Sequence, residues 1–446
     1  MARTAKKETI LTPEEKLAQA LVPEVEQIYL VPENWCWTYL GCISDIIMGQ
    51  SPDGAATTDD PSFMPLIGGA ADMGDLYPKA TRYTKVPTKI SKTGDIILCI
   101  RATLGRPIYS DKEYCLGRGV AAIRSDTNVK EFIRLGLKCF EQYLYDNAAG
   151  TTFAQVSSPV LKKMPFPIAP LAEQQRIVDR IESLFAKLDE AKEKAQTVVD
   201  GYEDRKAAIL HKAFTGELTA EWRDRHGLLH NEWRKKRLDE FAEIVSGFAF
   251  SSSDFKETNC VPCIKITNVG VGEFNGNDYE YLPAEYLSKY ERFNVKRNDI
   301  LISLTRSYIA SGLKVCIYPD DGMALLNQRV ALIRNCNIKY AFYYLTSESV
   351  LNYVKEKSKT TNQPNLSIKD LCSLTIPVPT KHEQLEIAVL LDSLLDREKQ
   401  AKEAAEQVID QIDAMKKAIL ARAFRGELGT NDPADESAEE LLKRVL

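Results

Sequence analysis

Residues 173–218 read EQQRIVDRIESLFAKLDEAKEKAQTVVDGYEDRKAAILHKAFTGEL, and residues 383–428 read EQLEIAVLLDSLLDREKQAKEAAEQVIDQIDAMKKAILARAFRGEL. Each residue of the second stretch stands 210 positions after its counterpart in the first, with no gap. Both stretches have the pattern of a long helix, and each follows a segment of globular composition. This duplication indicates a pseudo-symmetric molecule that holds two similar modules at a fixed separation.

Apolar residues recur in both stretches at alternating steps of four and three, which is typical of a coiled-coil seam. The seam residues are Ile177, Ile181, Leu184, Leu188, Ala191, Ala195, Val198, Tyr202 and Ile209 in the first stretch, and Ile387, Leu391, Leu394, Ala401, Ala405, Val408, Ile412, Met415 and Ile419 in the second. Arg205 and Glu398 are the charged residues in this stripe. At 1.5 Å per residue each helix is roughly 60 Å long. Because both copies lie in one chain, we expect them to pair antiparallel as an internal spacer; a dimer-forming or filament-forming coiled coil is the alternative.

The ends of both helices carry matching signals. Pro170 and Pro379 lie just before the helices, where proline is tolerated. Gly216 and Gly426 follow the last apolar residues, where helices usually stop. The sequence therefore predicts two helices of equal length.

Composition limits the class of protein. The 446 residues leave room for two or three domains, and the net charge of −5 argues weakly against a basic protein that coats nucleic acid. Ten cysteines without a disulfide framework predict buried, reduced thiols and a cytoplasmic protein. A single CxxC, Cys260 to Cys263, lacks the second ligand pair of a zinc site, so no metal is expected. We find no signal peptide and no apolar run long enough to span a membrane.

The duplication extends into the globular segments. Trp35, Leu40, Ile46 and Gly49 return as Trp233, Leu238, Ile244 and Gly247, and GDIIL at 94–98 returns as NDILI at 298–302. Short apolar runs predict buried strands, and residues 131–147 and 338–357 predict amphipathic helices, so each segment is expected to be α+β. The loops differ, because RATLGR at 101–106 stands where LTRSY occupies 304–308. A shared framework with unlike loops is typical of two different recognition surfaces.

Taken together, these stretches resemble the specificity subunit of type I restriction-modification enzymes. The resemblance rests on PFPIAPLAEQQRIV at 165–178 with its echo IPVP at 376–379, on the block KAAIL to AFTGEL at 206–218 with its copy at 416–428, and on GDIIL followed by Arg101. It covers nearly the whole chain. The order of variable segment and helix, repeated once, is its specific feature.

The resemblance implies an α+β fold in which two similar α/β target recognition domains are separated by two long antiparallel coiled-coil helices, with a pseudo-two-fold internal repeat. A capping box at Thr12 to Glu15 predicts a short first helix, and residues 436–442 have a helical pattern. The implied segments are an N-terminal helical segment at 1–30, the first recognition domain at 31–170, a central spacer helix at 171–218, a linker at 219–230, the second recognition domain at 231–380, a C-terminal spacer helix at 381–428 and a tail at 429–446.

The same resemblance implies the function. Each recognition domain reads one half of a bipartite site in double-stranded DNA, and the paired helices set the gap and dock two methyltransferase subunits, which motor-nuclease subunits join. Adenine methylation and ATP-dependent restriction then belong to the assembly, with S-adenosylmethionine, ATP and Mg²⁺ on the partner subunits and no cofactor on this chain. The chain agrees with this expectation, since it contains no phosphate-binding loop, no methylase motif and no dinucleotide-binding glycines.

Candidate DNA contacts are arginines that could grip guanine, amides that could pair with adenine, and lysines or hydroxyls that could hold phosphates. In the first domain they are Lys79, Arg82, Tyr83, Lys85, Arg101, Thr103, Arg106, Arg118, Thr151, Thr152 and Gln155. In the second they are Lys265, Thr267, Asn268, Arg306, Ser307, Lys314, Gln328, Arg329, Thr360, Thr361, Asn362 and Gln363. Any one of them could instead be a solvated surface residue. Because the two sets differ, we predict a target with two different halves.

Two other functions compete with this one. A coiled-coil scaffold with two protein-binding heads and no DNA contact would explain the helices, but not two unlike loop sets on one framework. A nuclease would need an arrangement of acids, and although Asp53, Asp59, Asp60 and Asp95 are present, no acid–lysine arrangement recurs in both halves. DNA recognition without catalysis is the preferred hypothesis.

Overall fold

The structure is a computed structural model that describes residues 12–150, 153–228, 233–256, 260–358 and 364–446. It contains two compact units. Unit 1 comprises residues 1–194 and 408–446, and unit 2 comprises residues 195–407. Each unit combines one globular module with one end of each duplicated helical stretch.

The described helices, in chain order, are α1 (Pro13–Ala20), α2 (Leu40–Ile43), α3 (Lys130–Cys139), α4 (Glu141–Asp146), α5 (Ser158–Lys162), α6 (Leu171–Asp200), α7 (Tyr202–Phe214), α8 (Ala220–Arg225), α9 (Leu238–Phe241), α10 (Tyr286–Lys289), α11 (Ile338–Leu345), α12 (Glu348–Lys357), α13 (Ile368–Ser373), α14 (Lys381–Ala423) and α15 (Ala438–Val445). The helices predicted at 131–147 and 338–357 are each two helices, because the chain turns at Phe140 and at Thr346–Ser347.

The described strands of unit 1 are β1 (Cys36–Tyr39), β2 (Asp45–Met48), β3 (Thr57–Thr58), β4 (Met64–Ile67), β5 (Arg82–Thr84), β6 (Ile96–Cys99), β7 (Gly105–Tyr109), β8 (Cys115–Leu116), β9 (Val120–Arg124) and β10 (Pro165–Ile168). Those of unit 2 are β11 (Arg234–Arg237), β12 (Glu243–Ser246), β13 (Cys260–Ile264), β14 (Glu280–Pro283), β15 (Asn294–Val295), β16 (Ile300–Ser303), β17 (Tyr308–Ile309), β18 (Gly312–Leu313), β19 (Val315–Ile317), β20 (Ala324–Leu326), β21 (Val330–Arg334) and β22 (Thr375–Val378).

The two modules share most of their strand topology, although β3 in unit 1 and β15 in unit 2 add to opposite edges of the second sheet. In unit 1, β1 pairs with β10, one sheet has the order β2-β9-β6-β7, and another has the order β3-β5-β4-β8. In unit 2, β11 pairs with β22, and the matching sheets are β12-β21-β16-β19 and β14-β13-β20-β15. In both modules the second sheet contains one parallel pair, β4 with β8 and β13 with β20. The internal repeat predicted from the sequence is confirmed.

Each module closes its core with the end of a long helix. In unit 1, the rings of Phe132, Phe140 and Phe166 surround Phe424, which follows α14, with centroid distances of 4.9–6.1 Å to Phe424. In unit 2, Phe214 at the end of α7 contacts Tyr340 and Tyr344 edge-on, at 5.4 and 5.0 Å. The duplicated Ala-Phe near the end of each helical stretch is therefore a core anchor.

The long helices pair antiparallel inside each unit. In unit 1, Asp189 contacts Lys416 and Lys192 contacts Asp413, so residue numbers fall on one helix as they rise on the other. In unit 2, Lys402 lies 5.1 Å from the ring of Tyr202, and Arg205 Nε lies 2.7 Å from Glu398 Oε2. The two charged residues that interrupt the apolar stripe are therefore ionic partners of each other, and the antiparallel pairing is confirmed.

The first long helix has one short interruption, at Gly201 between α6 and α7, whereas α14 continues through the matching Gln411. Gly201 N donates to Thr197 O and Arg205 N donates to Gly201 O, both at 3.1 Å, so helical hydrogen bonding continues through this point. Glycine weakens a helix because it loses more backbone entropy on ordering than other residues do. The side chain of Arg205 spans the interruption, since its Nη2 donates to the carbonyl of Val198 at 2.8 Å.

Burial agrees with most positions of the predicted seam but not with all of them. Ile177, Ile181, Ala195, Ile387, Leu391, Ala405 and Ile412 are buried, and Leu184, Leu188, Val198 and Leu394 are half-buried. The prediction is wrong for Ala191, Ala401, Val408 and Met415, which are exposed. A straight helix of 3.6 residues per turn drifts away from a seven-residue repeat, so the next residues, Lys192, Lys402, Ile409 and Lys416, take the inward positions. The aliphatic parts of the lysine side chains cover the seam, and their ammonium groups reach the partner helix.

A buried glutamate near the start of each long helix joins three parts of its unit. Glu173 accepts the indole N–H of Trp35 at 2.7 Å and the amide of Asn431 at 2.9 Å. In unit 2, Glu383 accepts the indole N–H of Trp233 at 3.0 Å and hydrogen bonds from Thr219 and Arg223 at 2.8 and 2.7 Å. The repeated tryptophan and Glu-Gln pair therefore hold three parts of each unit together. These parts are the module, the start of one long helix and the chain that follows the other long helix.

Two short helices complete unit 1. The capping box predicted at Thr12 is present, with Thr12 Oγ1 accepting from Glu15 N at 3.2 Å and Glu15 Oε2 accepting from Thr12 N at 2.8 Å. The helix that it starts, α1, packs against α15, and Lys16 Nζ donates to the carbonyl of Leu446 at 2.9 Å. The positions of these two helices agree with the sequence patterns.

The Arg205–Glu398 pair is expected to contribute less than about 1 kcal/mol to stability, because its side chains are 37% and 26% exposed and solvent screens the charges. A double-mutant cycle of Arg205→Ala and Glu398→Ala, followed by urea denaturation, measures this coupling. Lys194→Ala, which removes an ion pair on the exposed helix surface, is the matched control. A coupling above about 2 kcal/mol would show that the pair behaves as a buried one.

Candidate nucleic-acid interface

A groove of about 440 Å³ lies on the module of unit 1 and brings three predicted DNA-contacting arginines together. Arg82, Arg101 and Arg118 line it, and all three side chains are exposed. The ring of Phe153 lines the same groove and is 58% exposed. Guanidinium groups bind guanine edges and phosphates, and an exposed aromatic ring offers a surface for stacking. The groove thus has the chemistry of a nucleic-acid contact.

Close approach of backbone segments builds the floor of this groove. A Cβ atom at Gly119 would lie 2.3 Å from the carbonyl oxygen of Gly68, and one at Gly49 would lie 2.1 Å from that of Gly117. Both are shorter than any normal contact, so these positions require glycine. Arg118 projects from between Gly117 and Gly119, and both its backbone N–H and its Nε lie 3.3 Å from Ser51 Oγ.

An acid positions a second arginine of the groove. Asp72 is buried and accepts hydrogen bonds from the backbone N–H groups of Gly68 and Gly69 at 2.6 and 3.3 Å. Its Oδ2 lies 3.7 Å from Arg82 Nη2, and the Arg82 side chain remains 51% exposed. Asp72 therefore orients the guanidinium group of Arg82 and leaves about half of that side chain accessible to a ligand.

The loop that follows the central strand has the same backbone conformation in both modules and carries different side chains. Ala102 in unit 1 and Arg306 in unit 2 have φ values of 64° and 50°, in the left-handed region that side chains other than glycine rarely adopt. The backbone of Arg101 forms an isolated antiparallel β-bridge with Gln155, and Thr305 forms the matching β-bridge with Asn365. Strained residues of this kind cluster at functional sites.

The module of unit 2 therefore presents a different set of groups from equivalent places. Arg306, Gln328 and Arg329 are exposed. Their positions are fixed by backbone hydrogen bonds, because Gln328 N donates to Phe248 O at 2.9 Å and Leu304 N donates to Arg329 O at 2.9 Å. In unit 1 the corresponding bond, from Ile100 N to Gly119 O, also measures 2.9 Å. Arg118 and Gly119 thus stand where unit 2 has Gln328 and Arg329.

Three predicted contacts in unit 2 are corrected by the structure. Asn268 is fully buried, and its side chain accepts from Lys265 N at 2.8 Å and donates to the carbonyls of Asn275 and Asp278, so it holds a loop rather than facing a base. Ser307 is also fully buried. Lys314 Nζ donates to the carbonyl of Ile266, and burial lowers the pKa of its amino group. These residues support the surface from below.

The remaining predicted contacts lie on the surface without forming one cluster, and they stay predictions. Lys79, Lys85, Thr103, Arg106 and Gln155 are exposed and Tyr83 is half-buried, whereas Thr267 is exposed and Lys265 is half-buried beside Glu280 and the ring of Phe255. The predicted contacts at Thr151, Thr152, Thr360, Thr361, Asn362 and Gln363 lie outside the described residues.

Sequence reasoning missed Phe153, Ser51 and the basic strand β11. Phe153 stands beside the predicted Thr151–Thr152 loop, and its apolar character between polar residues was the available signal. Ser51 had no signal, because its contact with Arg118 depends on a pairing across 67 positions. The run Arg234-Lys235-Lys236-Arg237 is visible in the sequence as a cluster of charge.

Three of the four acids named above as candidates for a nuclease, Asp53, Asp60 and Asp95, make hydrogen bonds within their own module. Asp95 binds Arg124 through two hydrogen bonds of 2.8 and 2.7 Å, and Asp299 binds Arg334 in the same place in unit 2. Asp53 and Asp60 accept hydrogen bonds from the backbone of Ala55 and Ser62. Within the described parts of the chain, no group of three or more His, Cys, Asp or Glu could hold a metal ion. Burial raises the pKa of Cys263 to about 12, so the CxxC does not present two thiolates at neutral pH.

Across the ranges that the structure describes, every helix is too short or too polar to cross a membrane.

Comparison with known proteins identifies the architecture. The sequence profile of the type I restriction modification DNA specificity domain matches residues 32–198 and 230–409. The chain is 27% identical over 419 residues to the type I restriction enzyme MjaVIII specificity subunit of Methanocaldococcus jannaschii, covering 89% of this chain and 94% of that protein. It is 23% identical over 429 residues to the EcoKI specificity subunit of Escherichia coli K12, covering 89% and 90%.

Solved structures show the same fold. The HsdS subunit from Thermoanaerobacter tengcongensis has a TM-score of 0.62 at 20% identity, with 91% of this chain and 100% of that chain covered. A chain solved in work on the complex assembly and conformational transition of the type I R-M system gives a TM-score of 0.67 at 20% identity, with 90% and 100% covered. The profile matches well over half of the residues, once in each module, and the chain therefore belongs to the family of type I restriction-modification DNA specificity subunits.

Proposed function

We propose that this chain selects the DNA sequence on which a type I restriction-modification assembly acts, and that each module reads one half of a divided target. One observation carries the proposal: equivalent loops on a shared framework expose Arg101 and Arg118 in unit 1 but Arg306, Gln328 and Arg329 in unit 2. Different donor sets read different bases. The target is accordingly expected to have two unlike halves.

The chemistry would lie outside this chain. We propose that two methyltransferase subunits dock on the paired helices, that motor-nuclease subunits join them, and that the bound S-adenosylmethionine, ATP and Mg²⁺ belong to those partners. The structural roles of Asp95 and Asp299 support a non-catalytic chain, because each is committed to an arginine inside its own unit. The antiparallel helix contacts within each unit support a spacer that sets the gap between the half-sites.

Arg118→Ala and Arg306→Ala are expected to act on opposite halves of the target. Each substitution removes a group that could bind a base edge, at an expected cost of about 1–3 kcal/mol of specific binding. Mapping of methylated adenines in cells that carry the chain and its methyltransferase partner should show relaxed sequence preference in one half for Arg118→Ala and in the other half for Arg306→Ala.

Each variant controls for the other, and Lys112→Ala adds a loss of the same charge on an exposed residue outside the groove. A perfectly palindromic target, or a change in both halves from one substitution, would contradict the assignment of one module to each half. Wild-type methylation patterns in both arginine variants would remove these two residues from the interface.

A further inference from the structure

Strand β11 carries a strongly basic surface that lies outside the loops described above as candidate DNA contacts. Arg234, Lys235, Lys236 and Arg237 are consecutive, and all four are exposed. Arg237 is paired with Asp239, and no described residue forms an ion pair with the other three side chains. The equivalent strand of unit 1, β1, reads Cys36-Trp37-Thr38-Tyr39 and is largely buried. The two modules therefore differ here in more than their recognition loops.

The strand register shows which backbone groups of β11 face outward. Lys235 stands opposite Pro377, just as Trp37 stands opposite Pro167 in unit 1. Proline has no N–H, so these are the non-hydrogen-bonded pairs of their antiparallel ladders. The N–H and C=O groups of Lys235, and by alternation those of Arg237, therefore point away from β22 toward the outer edge of β11.

Unit 1 covers the same edge with its own chain. Val22 N donates to Trp37 O at 3.0 Å, Leu21 pairs antiparallel with Thr38, and Thr38 Oγ1 donates to the carbonyl of Ala20 at 2.8 Å. In the part of unit 2 that the structure describes, no strand pairs with the outer edge of β11. An edge that is paired in one module thus has no paired strand among the described residues of its counterpart.

We propose that the outer edge of β11 binds an extended acidic segment of a partner protein, which adds as an antiparallel strand in the way that residues 20–22 add to β1. This inference rests on the proposed function, because the partner we assign is the methyltransferase subunit. Backbone hydrogen bonds to Lys235 and Arg237 would provide the attachment. Carboxylates on both faces of the added strand would meet Arg234 and Lys236 on one side and Lys235 and Arg237 on the other. Such a run also repels a second copy of the same edge.

Amide hydrogen exchange in the full chain tests the proposal. The amides of Lys235 and Arg237 are measured in the free chain, in its complex with the methyltransferase subunits, and with a non-specific DNA duplex. We expect exchange to slow at least about tenfold in the complex and to stay unchanged with the duplex. A complex that forms without slowing these amides would overturn the inference and leave the proposed function intact. Slow exchange in the free chain, or slowing by the duplex alone, would also overturn it, the latter in favour of phosphate binding. Failure to form any complex would overturn both proposals.

Charge reversal gives an independent measurement. The double variant Arg234→Glu with Lys236→Glu keeps the outward backbone groups but repels an acidic strand, and we expect assembly with the methyltransferase subunits to weaken at least about tenfold. Lys355→Glu with Lys357→Glu makes the same charge change on exposed positions of α12 and should leave assembly unchanged. Equal assembly of the β11 variant and the wild type would contradict the proposal.

Discussion

Arg223→Ala is expected to lower the free energy of unfolding of unit 2 by about 3–5 kcal/mol, because it leaves the carboxylate of Glu383 buried without its charged partner. The two side chains are 7% and 2% exposed, and Arg223 Nη1 lies 2.7 Å from Glu383 Oε1. Arg223 Nη2 also donates to the carbonyl of Gly216 at 2.6 Å, at the end of the first helical stretch. Amide exchange of peptides from residues 195–407 measures the loss.

Arg225→Ala is the matched control, since Arg225 lies on the same helix and is exposed, and we expect a change within about 0.5 kcal/mol. Glu173, at the position in unit 1 that matches Glu383, accepts hydrogen bonds from Trp35, Thr430 and Asn431, and no arginine among the described residues forms a direct ion pair with it. A loss from Arg223→Ala no larger than that from Arg225→Ala would show that Glu383 is satisfied by its neutral donors alone.

Phe424→Ala is expected to lower the free energy of unfolding of unit 1 by about 3–5 kcal/mol, the range for removal of a buried phenylalanine ring. Phe424 is fully buried and contacts Phe132, Phe140 and Phe166. The cavity is expected to stay open, because neighbouring rings pack against each other and collapse poorly. Exchange of amides in residues 130–146 and 165–168 reports the change.

Phe424→Leu keeps most of the apolar volume and should restore much of the stability. Met415→Ala truncates an apolar residue of α14 that is 50% exposed, and it should change stability by less than about 0.5 kcal/mol. An effect of Phe424→Ala as small as that of Met415→Ala would show that the end of α14 does not anchor the module.

The architecture was predictable because duplication made it visible. A gapless repeat of a coiled-coil pattern, following segments with matching tryptophan and strand positions, indicated two modules and an antiparallel pair. Several positions of the seam were not predictable from the heptad pattern, since Lys192 and Lys402 cover it with the aliphatic parts of their side chains and contact Asp413 and the ring of Tyr202 on the partner helix. The interruption at Gly201 has a signal in the sequence, because the second copy has Gln411 at the matching position and its helix continues.

The types of residue at the candidate interface were predictable from the sequence, but the individual residues that lie there were not. Arg82, Arg101 and Arg118 are far apart in sequence, and only the folding of strand β5 and two loops around one groove brings them together. The side-chain amide of Asn268 has the donor and acceptor that could pair with adenine, but it makes three hydrogen bonds inside its own loop instead. A side-chain amide in a loop can hydrogen-bond the backbone of a turn as readily as it can bind a ligand. Whether the amide is buried or exposed distinguishes these two roles.

The composition of unit 1 from two separate stretches has a consequence for biosynthesis. Residues 195–407 form unit 2 without interruption, whereas unit 1 needs residues 408–446 to complete its core. During translation Phe132 and Phe166 would therefore lack Phe424 until the whole of unit 2 has been synthesised. Vectorial synthesis usually lets the amino-terminal domain mature first. Here we expect the reverse order, so the module that is made first is the one that a chaperone would need to shield.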